Sequence, residues 1–263
     1  MGGAPQRRWL TRTVAGIGVA SLLSDLGHEA ATAVLPMFLA SLGAAPAALG
    51  IIEGVSDAVS SFLKLGAGWY SDRLRRRKGM AVAGYFLTGI ATASFAAASG
   101  WAHVLIARTL AWFGRGVRGP VRDAILTEAV PAEARGRAFG FDRALDSAGA
   151  VIGPIVALLL IGSSSFRAIF LYSLIPGLLA ALSFAFLVKE ERAGVISTRT
   201  LSMSLRALPP AYKRFLAAVA VFGAADFAHT LLMLRASQLF EAAGYASAQQ
   251  MAVSLYEIGR AHV

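Results

Sequence analysis

The sequence predicts an all-α protein that crosses a membrane several times, and three observations lead to this fold class. The 263-residue chain is 56% hydrophobic and only 15% charged, whereas a soluble domain carries about 25% charged residues. Its apolar residues form long runs, and about 20 such residues are needed for an α-helix to cross the hydrocarbon core. The basic residues fall mostly between these runs. The apolar surface therefore requires lipid to cover it.

The apolar runs predict seven complete spans and the beginning of an eighth near Ala248. The first, third and fifth loops contain almost no Lys or Arg apart from Arg167, while the N-terminus and the even loops are rich in them. By the positive-inside rule, we expect the N-terminus and the even loops to be cytoplasmic. The predicted spans cover residues 13–42, 47–70, 80–99, 102–125, 137–161, 166–188 and 215–236.

The longest polar loop divides the chain into two parts. We expect a six-span bundle over residues 1–188, a cytoplasmic linker over 189–214 and the start of a second bundle over 215–257. The two parts look related, because the same spacing separates three pairs of identical residues. These pairs are Asp25 with Asp226, His28 with His229, and Gly43 with Gly244. Internal repeats of this kind are typical of secondary transporters.

The predicted eighth span stops before it is long enough to cross a membrane. Residues 258–263 match the translation of a common sequencing-library adapter. We therefore expect a truncated chain with a non-native tail, and a genuine polar tail is the alternative.

Ionisable residues lie near the middle of the first two predicted spans. A charge at bilayer depth costs at least about 2.5–3.5 kcal/mol, so it requires a partner or a polar cavity. The spacing in each span places these residues on one helix face. A low dielectric favours the neutral form of a carboxyl group, so these residues could carry protons. The alternative is that they form internal ion pairs, for example Asp57 with Lys64. The residues are Asp25, His28 and Glu29 in span one, and Glu53, Asp57 and Lys64 in span two.

Charged residues also follow one face of spans four and five. Asp142 and Asp146 share a face of span five. We expect the two spans to pair through opposite charges, for example Arg115 with Asp146, because pairing offsets desolvation. Binding of an anionic substrate by the arginines is the alternative. The arginines of span four are Arg108, Arg115, Arg118 and Arg122.

The loop after span two carries the most specific motif. It reads Gly68-Trp-Tyr-Ser-Asp72-Arg73-Leu-Arg-Arg76-Arg77. This resembles the Gly-x-x-x-Asp-Arg-x-Gly-Arg-Arg signature of the major facilitator superfamily, with Arg in place of the second Gly. The resemblance implies a cytoplasmic gate in which Gly68 permits close helix approach and Asp72 accepts hydrogen bonds from a helix end and an Arg. A plain positive-inside cluster is the alternative. The implied gate residues are Gly68, Asp72, Arg73, Arg76 and Arg77.

A second motif lies in span five. Gly149-x-x-x-Gly153-Pro154 resembles the antiporter motif of the same family, although Ala157 and Leu158 replace its last two glycines. The resemblance implies export. General close packing of membrane helices explains the small residues equally well.

The resemblance implies a six-helix N-terminal bundle followed by the first one to two helices of the C-terminal half. We expect proton-coupled efflux of a small molecule by alternating access, with uptake by proton symport as the alternative. A non-transporting membrane sensor or scaffold is the competing class. The predicted proton and substrate pathway comprises Asp25, His28, Glu29, Glu53, Asp57, Arg108, Arg115, Asp146 and Asp226.

The sequence offers no support for an enzyme. His28-Glu29 is not followed by the second His of a zinc protease motif, and no phosphate loop or nucleophile elbow occurs. The absence of Cys excludes disulfides and thiolate metal sites. We expect no cofactor, no metal and no nucleic-acid partner. We further expect a monomer in a bacterial inner membrane, with protons, a small-molecule substrate and the lipid bilayer as its partners.

Overall fold

A computed structural model describes residues 9–74, 76–190, 206–224 and 228–260, without the side chains of 224 and 256–260. All regular secondary structure in these residues is helical. Short 3₁₀ segments follow α3 and precede α5. The described helices are α1 Arg12–Ser41, α2 Pro46–Ser71, α3 Lys78–Ala93, α4 Trp101–Glu128, α5 Arg135–Ile161, α6 Phe166–Leu187, α7 Pro210–Ala224, α8 His229–Ala242 and α9 Ala248–Arg260.

The first six helices confirm the predicted all-α bundle. Three helical stretches of the described chain are long and apolar enough to span a membrane: Lys78–Ala97, Ala132–Ile161 and Phe166–Leu187. Helices α1, α2 and α4 contain 30, 26 and 28 residues. At 1.5 Å per residue they are about 39–45 Å long, more than the hydrocarbon core requires. These three carry most of the ionisable residues that the sequence placed within spans, and α5 carries Asp142 and Asp146.

Helix α1 packs against α5 and α6, while α4 packs against α2 and α3. The apolar contacts form two clusters at opposite ends of the bundle. One cluster, around Leu35 and Phe38, lies at the end where α1 connects to α2, here called the α1–α2 end. The other, around Ile17 and Phe184, lies near the basic loop that joins α2 to α3, here called the arginine end.

The small residues of α5 allow the backbones of α1 and α5 to touch. A Cβ atom on Gly149 would overlap the carbonyl oxygen of Leu22, and one on Gly153 would lie 2.7 Å from that of Leu26. Pro154, which cannot donate a backbone hydrogen bond, is buried in the same helix. This geometry gives the motif a packing role.

We expect Gly149→Ala to destabilise the protein by about 1–3 kcal/mol, because the added methyl group must displace the α1 backbone. Gly140→Ala on the same helix is the matched control, since a Cβ there meets no atom within 4 Å. The unfolding midpoints of both variants in detergent check this prediction. Equal midpoints for the two variants would contradict the proposed close contact.

The second part of the chain departs from the predicted continuous span over 215–236. Ala228, which lies inside that span, has an extended backbone with φ −66° and ψ 119°, and α8 begins directly after it at His229. Gly223, a poor helix former, lies just before the end of α7. The predicted site residue Asp226 lies outside the described residues. So do most of the predicted linker and residues 261–263 of the predicted tail.

The end of α8 supports the predicted repeat. Gly43 follows α1 with φ +72°, and Gly244 follows α8 with φ +81°. Left-handed glycines at this position are a common way to end a helix. Helix α1 ends at Ser41 and α8 at Ala242, so these ends have the spacing that separates the two glycines. The interruption before His229 distinguishes α8 from the continuous α1.

Candidate functional site

A polar cavity of about 1190 Å³ lies beside α2, α4 and α5. Residues from both parts of the chain line it, including Ala228, His229 and Leu231 at the start of α8. Its ionisable wall residues are Glu53, Asp57, Lys64, Arg115, Arg118, Arg122, Asp123, Arg143, Asp146 and His229.

The most buried ion pair joins α4 to α2. Arg108 is only 2% exposed, and its Nη2 lies 3.0 Å from both carboxylate oxygens of Glu53. Its Nη1 donates to Thr32 Oγ1 at 2.9 Å. The guanidinium also stacks 3.9 Å above the ring of Trp112. Arg108 therefore connects α4 to both α1 and α2 through hydrogen bonds from its two terminal nitrogens.

Trp112 extends this network to two further predicted residues. Its ring centroid lies 4.4 Å from that of His28, and its indole nitrogen donates to Asp57. His28 Nε2 is 3.4 Å from Thr32 Oγ1. The suggested ion pair of Asp57 with Lys64 is absent within 4.0 Å among the described residues, because Asp57 is directed to Trp112 on the neighbouring helix.

Asp25 is the α1 carboxylate that faces the arginines of α4. Its Oδ1 lies 3.1 Å from Arg115 Nη1 and 4.0 Å from Arg118 Nη2. The Asp25 side chain is 7% exposed, and both arginines line the cavity. Glu29, one turn further along α1, is also buried and interacts electrostatically with Arg115. The predicted ionisable face of α1 therefore contacts the arginines that line the cavity.

Spans four and five do pair through opposite charges, but the predicted example of Arg115 with Asp146 is wrong. Arg115 pairs with α1, whereas Arg122, two turns along α4, reaches α5. Its guanidinium lies 3.5 Å from Asp142 and 3.7 Å from Asp146. Helix α1 packs along α5 and separates most of α5 from α4. Arg122, which lies nearer the arginine end than Arg108, Arg115 and Arg118, is the arginine of α4 that forms ion pairs with α5.

Ser21 completes the contact between Arg122 and α5. It accepts a hydrogen bond from Arg122 at 2.9 Å and donates one to Asp142 at 2.7 Å. Arg143 adds ion pairs with Asp123 and Asp146, both at 3.6 Å. The arginine face therefore serves three different helices: Arg108 contacts α2, Arg115 contacts α1 and Arg122 contacts α5.

Arg77 is the most connected residue of the gate motif. It is buried, forms an ion pair with Glu128 at the end of α4, and lies 3.8 Å from Glu190 beyond α6. Glu190 also accepts the backbone N–H groups of Arg77 and Lys78 at 2.7 and 2.9 Å. This arrangement ties the start of α3 to the ends of α4 and α6.

The other gate residues are less constrained than the resemblance implied. The Asp72 side chain is 60% exposed and lies 4.0 Å from Arg77. Arg73 stacks 4.0 Å above Trp69, and Arg76 is exposed. At Gly68 a Cβ would meet Pro120 at 3.6 Å, an ordinary contact. The expected close approach at Gly68 is therefore wrong here, because α2 and α4 touch at Gly116 instead, where a Cβ would lie 2.9 Å from the Ser60 carbonyl oxygen.

We expect Arg77→Gln to lower the free energy of unfolding by about 1–3 kcal/mol, because the buried Glu190 would lose a charged partner. Arg76→Gln is the matched control, since Arg76 is exposed and such surface changes stay within about 0.5 kcal/mol. Detergent unfolding curves of the two variants give the comparison. A stable Arg77 variant would show that the motif acts only as a topology signal.

Sequence reasoning missed several residues that complete these contacts. Trp112 lies one helical turn after Arg108, a spacing that allows stacking and is the one signal that could have found it. The other residues contact partners far away in the chain, which spacing cannot reveal. They are Ser21, Thr32, Glu128 and Glu190.

The fold, the gate motif and the charged cavity agree with the match to a known family. The family model of the Major Facilitator Superfamily matches residues 17–261. The chain belongs to the major facilitator superfamily. Members of this family are multi-pass membrane transporters of small molecules, so membership points away from an enzyme.

Two curated relatives share substantial sequence with this superfamily member. An uncharacterised MFS-type transporter of Methanocaldococcus jannaschii is 31% identical over 233 residues, covering 88% of this chain and 58% of the relative. A probable 4-methylmuconolactone transporter of Cupriavidus pinatubonensis is 30% identical over 152 residues, covering 56% of this chain and 35% of the relative. The chain thus spans little more than half the length of the first relative.

Solved structures share the fold of this superfamily member. A bacterial homologue of the human lysosomal transporter Spinster, in an inward-facing and occupied conformation, superposes with a TM-score of 0.70 and 17% identity. The alignment covers 96% of this chain and 58% of that structure. A peptide transporter of the POT family gives a TM-score of 0.62 at 19% identity, with 84% and 46% covered. At these identities the likeness concerns the fold alone.

Proposed function

We propose that the intact protein is a proton-coupled secondary transporter of a small molecule that works by alternating access. One observation carries this proposal: a cavity of about 1190 Å³ is lined by arginines that share the buried carboxylate of Asp25. A buried ionisable group in a membrane bundle is costly and commonly marks a proton or substrate path. The cavity provides the space for the solute, and Asp25 provides a group that can hold a proton.

The contacts between the two parts of the chain support access from one end. Met233 and Leu234 of α8 and Val253 of α9 join the apolar cluster at the α1–α2 end. The cluster at the arginine end contains no residue from α7, α8 or α9 among those described. The cavity wall extends toward the arginine end through Lys64 and Arg143. This asymmetry fits a state that is closed at the α1–α2 end.

Asp25 offers a physical route for coupling. When ionised, it attracts Arg115 and Arg118. When protonated, it loses that attraction and leaves both guanidinium groups available to a solute in the cavity. Proton binding and solute binding would then be linked through the same two arginines. Glu29, Glu53 and Asp57 complete the proposed pathway, with His28 and Arg108 holding the α1–α2–α4 contact beside it.

The geometry favours uptake by proton symport over the export that the α5 motif implied. If protonation of Asp25 frees the arginines, the proton and the solute bind at the same time. Symport requires this, because both are carried across the membrane together. Gly149 and Gly153 touch α1 directly, and this contact accounts for the motif without reference to direction. Export remains the second candidate, because the motif still resembles that of antiporters.

The basic loops support a cytoplasmic N-terminus and a cytoplasmic arginine end in a bacterial plasma membrane. Residues 1–188 would form one half, 189–214 a linker and 215–257 the start of the other half. The whole protein would act as a monomer, because a two-half cavity needs no second copy.

The test is transport by the intact gene product, purified and placed in proteoliposomes. A panel of radiolabelled organic acids, amines and neutral solutes is offered with and without an imposed pH gradient. Symport predicts gradient-driven accumulation of one solute on the alkaline side, and export by antiport predicts its depletion there. A gradient without effect on any solute, in protein that still binds solute, would favour the non-transporting sensor.

A further inference from the structure

Arg118 is a buried cation on the cavity wall, and its ion pair among the described residues is longer than those of Arg108 and Arg115. Its side chain is only 8% exposed, and its Nη1 makes no hydrogen bond within the described part of the chain. The carboxylate oxygen recorded beside it, Asp25 Oδ1, is 4.0 Å from Nη2 and lies closer, at 3.1 Å, to Arg115. Its guanidinium otherwise rests 4.1 Å above the Tyr85 ring.

Among the described residues, the only carboxylate within 4.0 Å of Arg118 is Asp25, which lies closer to Arg115. Arg115 and Arg122 lie about one turn away on either side along the same face of α4, so like charges flank Arg118. Arg122 by contrast is engaged by Asp123, Asp142 and Asp146. A buried charge without a well-placed counterion is strongly destabilising. Its presence on a cavity wall is explained if an anion from outside the protein completes it.

The carboxylates of the same wall are already occupied. Glu53 binds Arg108 through both oxygens, and Asp57 accepts from Trp112. Asp123 and Asp146 pair with Arg122 and Arg143. Lys64, by contrast, lines the cavity with its side chain exposed and forms no ion pair within the described residues. Arg118 and Lys64 are therefore the cationic wall groups that have no close ion pair with a described carboxylate.

We infer that Arg118, together with Lys64, forms a subsite for an anionic group of the substrate, a carboxylate or a phosphate. The guanidinium plane can donate two parallel hydrogen bonds to either group, and the ammonium adds a point charge. This inference rests on the proposed transport function, which makes the cavity the substrate path. It narrows the substrate class to small molecules that carry at least one negative charge.

The test measures binding without requiring transport. The intact protein in detergent is titrated with glutarate, glutaramide and 1,5-diaminopentane, which share a five-carbon chain and differ in charge, and with inorganic phosphate. Ionic strength is held constant with sodium chloride, and the unfolding midpoint is recorded. We expect glutarate or phosphate to raise the midpoint and the neutral and cationic compounds to leave it unchanged.

Three variants locate the effect. Arg118→Gln should weaken the apparent affinity for the stabilising anion by about 10-fold to 100-fold, the range for a charged hydrogen bond. Lys64→Gln, an exposed change that the fold should tolerate, should weaken it by a smaller factor. Arg137→Gln, an exposed arginine outside the cavity wall, should bind as the unmodified protein does.

Any of three results would overturn the subsite. One is stabilisation by 1,5-diaminopentane and not by either anion. The second is anion binding that survives both Arg118→Gln and Lys64→Gln, and the third is no stabilisation by either anion. Proton-driven accumulation of a cationic or neutral solute in the proteoliposome assay would keep the transport proposal and reject the anionic subsite. Anion binding without any transport would keep the anionic subsite and reject the transport proposal.

Discussion

Replacing Asp25 with Asn should abolish the effect of a pH gradient on transport while leaving exchange of solute across the membrane. The amide keeps the size of the side chain but cannot take up and release a proton. Arg115 and Arg118 would then lack the switchable carboxylate that lies 3.1 and 4.0 Å away in the structure. We expect the solute concentrations inside and outside proteoliposomes to become equal instead of following the gradient.

Two controls separate this effect from misfolding. Glu133→Gln neutralises an exposed carboxylate beside the start of α5, and it should respond to the gradient as the unmodified protein does. Asp25→Glu retains an ionisable group and should recover part of the response. Gradient-driven accumulation that survives Asp25→Asn would make Asp25 a structural residue. The proton site would then be sought at Glu29, Glu53 or Asp146.

Loss of either member of the Arg108–Glu53 pair should give the largest stability effect in the bundle. Both residues are almost fully buried, at 2% and 4% exposure. Glu53→Ala or Arg108→Ala leaves one uncompensated charge in a low-dielectric interior, at a cost of about 3–5 kcal/mol. The double substitution removes both charges together, so it should cost less than the two single changes combined.

A double-mutant cycle on the purified protein measures this coupling directly. The half-exposed pair Asp123–Arg143, at 3.6 Å, is the comparison. We expect it to contribute about 0–1 kcal/mol, as exposed ion pairs do. If the losses in free energy of unfolding at Arg108 and Glu53 were additive, a direct buried contact would be contradicted. The contacts of Arg108 with Thr32 and Trp112 do not change this test, because they do not involve Glu53.

The sequence was sufficient to predict the helices of the first part. The predicted spans 13–42 and 47–70 agree closely with α1 Arg12–Ser41 and α2 Pro46–Ser71. An apolar run of this length is stable in lipid as an α-helix, because the helix satisfies its backbone hydrogen bonds internally. The same argument failed for 215–236, since an apolar run does not show where a helix is interrupted.

Spacing along a helix predicted which ionisable residues share a face, but it could not predict which helix that face meets. The arginines of α4 share a face as expected, yet Arg108, Arg115 and Arg122 contact three different helices. Helix α5 contacts α1 through Gly149 and Gly153, so Arg115 meets Asp25 where sequence reasoning expected Asp146. The contact of Glu190 with Arg77 joins residues far apart in the chain, and no local pattern signals it.

Accessibility of the cavity from both sides of the membrane tests alternating access most directly. The 263 residues contain no Cys, so Ser61→Cys would introduce a single thiol in this chain, on the exposed cavity wall. Leu159→Cys, at a position that is 74% exposed on an apolar helix, is the lipid-facing control. A water-soluble, membrane-impermeant thiol reagent is applied from one side at a time, with and without a transported solute. Alternating access predicts that the thiol of the Ser61→Cys variant reacts from either side, with solute shifting the balance, while the thiol of the Leu159→Cys variant does not react. Reaction of the Ser61→Cys variant from one side only, under all solute and pH conditions, would contradict the account.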